Sequence, residues 1–341
     1  MVKSGYTGPD NGAHLQGGGE AVLASPPSSQ FRRLVAGKKT NVGDFIFKNL
    51  TMLFALLVFL LVFFMGLEMY RQSGPAIAKF GWGFLGSSVW DPVQGEYGAL
   101  PFIFGTLFSS LLALLIALPL GLGVAIFLSE IAPHWLEQPV SFVVELLAAI
   151  PSIVYGLWGI FVLVPLLRSS VEPFLRKTLG YLPFFKGAPY GFGMLAAVLI
   201  LTIMVLPIIT SISRDVLRAI PDTQREAALA LGATRWETVK IILGAAKSGI
   251  LGATLLGLGR AVGETMAVTM VIGNTPSISW SLLDPGYSMA SVIANEFSEA
   301  TTELYTSALV EIALILFVMT LLLNAAARLI VWGVTRKFRN G

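Results

Sequence analysis

The chain has 341 residues, 55% of them hydrophobic and only 13% charged, with a mean hydropathy of +0.76. Soluble domains carry about 25% charged residues, so this composition excludes a disordered chain, a collagen-like fibre and an ordinary soluble enzyme. The absence of cysteine excludes disulfides and thiolate metal sites, and two histidines, His14 and His134, are too few and too far apart for a metal cluster. No cofactor is expected, and the net charge of +3 acquires meaning only from where the charges fall.

Residues 1–44 are rich in Gly, Ser and Pro, as in Gly17-Gly18-Gly19 and Pro26-Pro27-Ser28-Ser29. Such a segment has nothing with which to bury a core, and it predicts a disordered tail ahead of a membrane domain over 45–341. No apolar run follows a charged start before Leu50, so the tail does not read as a signal peptide. A helix crosses the hydrocarbon layer with about 20 apolar residues. Six segments meet that demand: 50–67, 100–128 with Pro119 inside, 140–167 with Glu145, Pro151 and Pro165 inside, 191–213 with Pro207 near its end, 248–272 and 304–334. The expected fold class is an all-α integral membrane protein with six transmembrane helices.

Lysine and arginine set the orientation of such a protein. Six lie in the tail and the start of the first span, six between spans four and five, and four at the C-terminal end; the opposite side holds six in all. Both termini are therefore expected in the cytoplasm, in a multi-pass protein of the cytoplasmic membrane. The short connection 129–139 falls on the same side but carries no lysine or arginine.

The cytoplasmic segment 214–247 carries the most local information. Thr223-Gln224-Arg225-Glu226 and Thr234-Arg235-Trp236-Glu237 both match a capping box, in which Thr and Glu side chains satisfy the free backbone donors of a helix start. Pro221 precedes the first, and Gly232 suits the left-handed residue that ends a helix. The pattern predicts two short helices joined by a tight glycine turn. A partner could grip such a hairpin and pass its motion to spans four and five; an amphipathic pair lying on the membrane surface is the alternative. A hairpin of 34 residues tethered at both ends has little freedom to dock a duplex, so no nucleic-acid partner is expected.

Arg260 and Glu264 fall in the middle of span five. A central charge costs roughly 2.5–3.5 kcal/mol on insertion scales, so either a solute pathway or a structural pairing is implied. Four residues apart, they are expected on one helix face, in the order that makes the weaker intrahelical pair. A guanidinium suits an oxyanion because its planar fork donates two hydrogen bonds at once. Gly249, Gly252, Gly257, Gly259 and Gly263 allow close helix approach, or leave room for a solute beside Arg260. The expectation is that Arg260 contacts an anion in transit and that Glu264 limits how tightly it is held; a buried pair that only locks helices is the alternative. Glu145 and Glu311 either line the route or hold the bundle, and Ser152 is expected to satisfy the carbonyl that Pro151 frees. Trp82, Trp90 and Trp280 lie in the outer segments, as interfacial anchors or contacts for an external partner.

Glu226-Ala227-Ala228 with Gly232 six residues after the glutamate, followed by Ile242, resembles the EAA loop of bacterial ABC importer permeases. That pattern ends in Leu-Pro, where this chain has Gly244-Ala245. The resemblance extends over 45–337 to PstC-type permease subunits of phosphate-specific ABC importers, through Tyr97-Gly-Ala-Leu-Pro101, the stretch ELLAAIPSIVYG over 145–156, GLGRAVGETMAVTMVIGN over 257–274 and Ala294-Asn-Glu-Phe-Ser-Glu299. It implies an ABC importer permease fold and a subunit that imports inorganic phosphate. It further implies a homologous A-type permease partner, two ATPase subunits, and an extracytoplasmic phosphate-binding protein. By the same resemblance Glu226, Ala227, Ala228 and Gly232 couple to the ATPase, and Arg260 and Glu264 are the family's intramembrane charges. The chain has no phosphate loop of its own, since Arg32 stands where Gly37-Lys38 would need a glycine; ATP hydrolysis is expected from a separate chain. A permease for sulfate or molybdate, a secondary anion transporter and a membrane scaffold are the other readings.

Overall fold

The computed structural model describes residues 42–339. The chain divides into two units, Met1–Leu61 and Val62–Gly341. In the first, residues 42–61 form the leading part of one helix, α1 (Val42–Gln72), whose side chains are exposed from Gly43 onward. An apolar helix that is exposed all round suits a lipid or partner environment rather than water. The predicted tail lies outside the described residues as far as residue 41, and Gly43 and Asp44 are already helical.

Among its described residues, the second unit holds the rest of α1 and the helices α2 (Gly74–Phe80), α3 (Leu100–Ile126), α4 (His134–Ala149), α5 (Ser152–Leu179), α6 (Met194–Arg218), α7 (Asp222–Ala230), α8 (Arg235–Val262), α9 (Met266–Val271), α10 (Met289–Glu296) and α11 (Glu303–Arg339), with short turns of helix at Gly83–Gly86 and Pro183–Phe185. A π-helical turn, Phe127–Ile131, closes α3, and two more, Gly159–Leu163 and Leu167–Val171, interrupt α5 around Pro165. Among the described residues six helices are long and apolar enough to cross a membrane: Gly43–Gln72, Leu100–Ile131, Ser152–Leu179, Met194–Arg218, Arg235–Val262 and Glu303–Gly333.

Two of the predicted spans shift. The expected third span, 140–167, is cut at Ile150 and Pro151, both extended, so α4 is a separate helix and the span runs from Ser152 to Leu179. Proline has no N–H and its ring clashes with the preceding turn, and here the helix ends rather than kinks. The expected fifth span, 248–272, begins instead at Arg235 and stops at Val262, with Gly263, Glu264 and Thr265 breaking the chain before α9.

The core lies where α6 packs along α3. Alanines at 113, 117, 196 and 197 have no or almost no exposed surface and let the two backbones approach. The hydroxyls of Thr202 and Thr210 donate across the seam to the carbonyls of Ala113 at 3.4 Å and Gly121 at 3.3 Å. α8 closes on α6 through Gly257, where a Cβ would stand 2.8 Å from Val205. At the other end, one carboxylate organises an aromatic cluster. Glu296 accepts from Trp90 Nε1 at 2.8 Å, Tyr305 Oη at 2.6 Å and Tyr287 Oη at 3.2 Å. That gives the Ala294–Glu299 stretch a structural role and makes Trp90 part of the frame. Trp82 and Trp280 remain exposed.

A Cβ at Gly105 would run into the carbonyl oxygen of Tyr287, which is backbone and has no rotamer with which to yield. Gly105→Ala is expected to destabilise the purified protein by about 1–3 kcal/mol, read as a lowered melting temperature in detergent. Gly123→Ala, with open space around it, should leave the melting temperature unchanged.

Candidate functional site: a capped hairpin and a charged helix break

Two places in the second unit depart from plain membrane helix, and each gathers residues singled out by sequence. The first is the turn between α7 and α8. Its backbone forms a Schellman closure: the N–H of Ala233 donates to the Ala228 carbonyl at 3.1 Å and that of Gly232 to Leu229 at 2.9 Å. Gly232 sits at φ +84, in the left-handed region that a side chain strains. Thr234 then caps α8 with a complete capping box, its Oγ1 accepting from the Glu237 N–H at 3.3 Å and its own N–H donating to Glu237 at 2.8 Å.

The other predicted capping box does not form. α7 begins one residue before Thr223, with Pro221 at the cap position and no side-chain cap bond. Pro221, extended at ψ 139, already directs the chain into the helix, and Asp222 places the acidic charge in the first turn. Nor is there a second short helix: the capped helix runs unbroken for 28 residues from Arg235 to Val262, about 42 Å at the α-helical rise. The second arm of the hairpin and span five are thus one continuous helix, and Gly244-Ala245 lie inside it without a break. Glu226, Ala227, Leu229, Leu231 and Gly232 are exposed on the hairpin, whereas Ala228 is buried.

The second place is the break at the other end of that rod. α8 stops at Val262, so Arg260 and Glu264 do not share a helix face. Glu264 is buried and turns back to accept from the Ala267 N–H at 3.3 Å, serving the start of α9. Arg260 is exposed and forms no ion pair among the described residues. It lines a cavity of about 290 Å³ with Leu256, Gly259, Thr320, Asn324 and Ala327. The glycines divide accordingly: Gly257 meets α6, while Gly252 and Gly259 face open space. Thr320 and Asn324 of α11 were not singled out by sequence, because nothing local tells which face of an apolar helix meets Arg260.

The remaining predicted residues separate from this site. Glu145 is a tie between α4 and α6, pairing with the buried Arg214 at 3.1 Å. Ser152 opens α5, but the carbonyl freed by Pro151, that of Leu147, is taken by the Tyr155 hydroxyl at 2.7 Å. Glu311 is buried within α11, and its Oε2 has no hydrogen-bond partner among the described residues.

Residues 117–339 match the family model described as the binding-protein-dependent transport system inner membrane component. The chain is 48% identical to the phosphate transport system permease protein PstC of Haemophilus influenzae, over 84% of this chain and 92% of that one. It is 45% identical to the PstC of Mesorhizobium japonicum, over 90% and 96%. Among solved structures it resembles a chain of the MetNI methionine ABC transporter in an inward-facing conformation, with a TM-score of 0.52 at 21% identity, covering 72% of this chain and 99% of that one. A bacterial ABC transporter involved in the import of the acidic polysaccharide alginate gives a TM-score of 0.52 at 19% identity, over 82% and 96%.

The two capping predictions separate cleanly by mutation. Thr234→Ala should cost about 1 kcal/mol of stability, measured by thermal unfolding in detergent, while Thr223→Ala should cost almost nothing.

Proposed function

The chain belongs to the family of binding-protein-dependent transport system inner membrane components, and on that premise we propose that it is the permease subunit of an ABC importer for inorganic phosphate. The observation that carries the substrate is Arg260. A guanidinium with no ion-pair partner among the described residues, beside a cavity in a membrane-spanning bundle, is costly to keep, and its bidentate geometry fits a tetrahedral oxyanion. Near-full-length likeness to proteins named as phosphate permeases supports the same choice.

In this reading Arg260 contacts phosphate in transit, and Glu264, one turn further along the chain, repels it enough that it can leave. The exposed Glu226, Ala227 and Gly232 meet an ATPase subunit, with Ala228 seating the hairpin on the bundle. The assembly comprises this chain, a homologous A-type permease, two ATPase subunits that hydrolyse the ATP, and an extracytoplasmic phosphate-binding protein. Both termini and the α7–α8 hairpin lie on the cytoplasmic side, where the majority of the lysines and arginines fall. Glu311 and Glu145 are structural here, since Glu145 is spent on Arg214 and Glu311 is enclosed.

Reconstituted with its partner chains, the wild type should take up phosphate in an ATP-dependent way. Arg260→Ala should lower uptake about 10- to 100-fold, the scale of losing hydrogen bonds to a charged group. Arg260→Lys, which keeps the charge but not the fork, should fall between. Normal flux in a fully assembled Arg260→Ala complex refutes the anion contact, and uptake of sulfate or molybdate in place of phosphate refutes the substrate. Separately, Glu226→Lys should abolish uptake while the protein still purifies and melts as the wild type does; undiminished uptake removes the hairpin from the coupling path.

A further inference from the structure

α7 is weakly held by packing: Ala228 is its one buried residue among those described, and an alanine buries little apolar area. What attaches it is Arg225. Nη1 of this side chain donates to the Ile220 carbonyl at 2.8 Å and to Asp222 Oδ1 at 3.0 Å. Nη2 donates to the Leu217 carbonyl at 2.9 Å and to Glu130 Oε1 at 2.8 Å, and Nε to Glu130 Oε2 at 3.1 Å. All five N–H donors of the guanidinium are in use. The Leu217 carbonyl belongs to the last turn of α6, where helix carbonyls lack intrahelical partners. Glu130, 95 residues away in sequence and with only 8% of its side chain exposed, sits on the π-turn that ends α3.

One planar group therefore joins three elements: α7, the end of α6 and the end of α3. Below it the same seam continues with Arg218 paired to Glu137 and Arg214 to Glu145, both linking α6 to α4. We propose that Arg225 is a positioning residue for transport, a clamp that makes α3 and α6 follow any displacement of α7. The role rests on the reading of α7 as the contact with an ATPase, and concerns how force leaves that contact rather than how the contact is made. A lysine cannot replace it: its three donors radiate from one nitrogen and do not reach two carbonyls and both carboxylate oxygens at once. An isolated exposed ion pair would add little. Here the geometry is bidentate and the carboxylate is buried, so the connection is stiff.

The test uses the assembled complex and two readouts. The first is phosphate transported per ATP hydrolysed in proteoliposomes, which is expected to fall about tenfold in Arg225→Lys and in the milder Glu130→Gln. The second reads the position of α7. The chain has no cysteine, so Gln224→Cys and Trp135→Cys, both exposed positions, accept a spin label each without background. The distance distribution between them should be narrow in the wild type and broad in Arg225→Lys. Both changes are required: an unchanged transport ratio, or an unchanged distribution, overturns the clamp. A parallel fall of uptake and hydrolysis at constant ratio overturns it too, since that is loss of docking. A wild-type complex that moves no phosphate sinks the transport reading instead, and is seen before any variant is compared.

Discussion

Hydrocarbon offers no hydrogen-bond partner, so wherever a membrane helix stops, the chain itself must close the exposed backbone. This constraint explains the irregular parts of the molecule. At Pro151 the freed Leu147 carbonyl is met by a tyrosine hydroxyl from the next helix. At Gly263 the chain breaks and the Glu264 carboxylate accepts from the Ala267 N–H in the first turn of α9. At the start of α6 the N–H groups of Gly193, Met194 and Leu195 go to the carbonyls of Val271, Asp284 and Leu282. The first two closures are made within a few residues of the break, and the third reaches about 80–90 residues along the chain.

Against that background the charges sort by what holds them. Glu130, Glu137 and Glu145 are all spent on arginines of α6 and α7. Glu296 is surrounded by aromatic donors. Glu264 serves a helix start. Arg260 alone among the residues singled out in the spans has a cavity beside it and no carboxylate on it. A buried charge that is paired argues for architecture, and one left facing a cavity argues for a passenger. The unbroken helix α8 places that guanidinium and the α7–α8 turn at opposite ends of one element, so the two sites are connected without any intervening loop.

The likeness to transporters of methionine and of an acidic polysaccharide, at 21% and 19% identity, concerns the scaffold alone. A common fold with different cargoes is what is expected when specificity resides in a few side chains set into a shared frame.

Much was legible in the sequence because lipid imposes long apolar runs: all six spans, the glycine turn at Gly232 and the Thr234 capping box follow from patterns a few residues wide. Where spans three and five begin and end was not legible, because Pro151 and Gly263 permit either a kink or a full stop, and neighbouring helices decide which. The first capping box failed because Pro221 and Asp222 already start α7. Arg260 and Glu264 were found by their cost in the membrane, but their separation onto a helix and a break depended on the fold. Arg225 and Tyr155 gave no local signal at all: their partners, Glu130 and the Leu147 carbonyl, come together only once the bundle has packed. Composition and period determine that this chain crosses the membrane six times, and side-chain hydrogen bonding across the bundle decides where each crossing is allowed to stop.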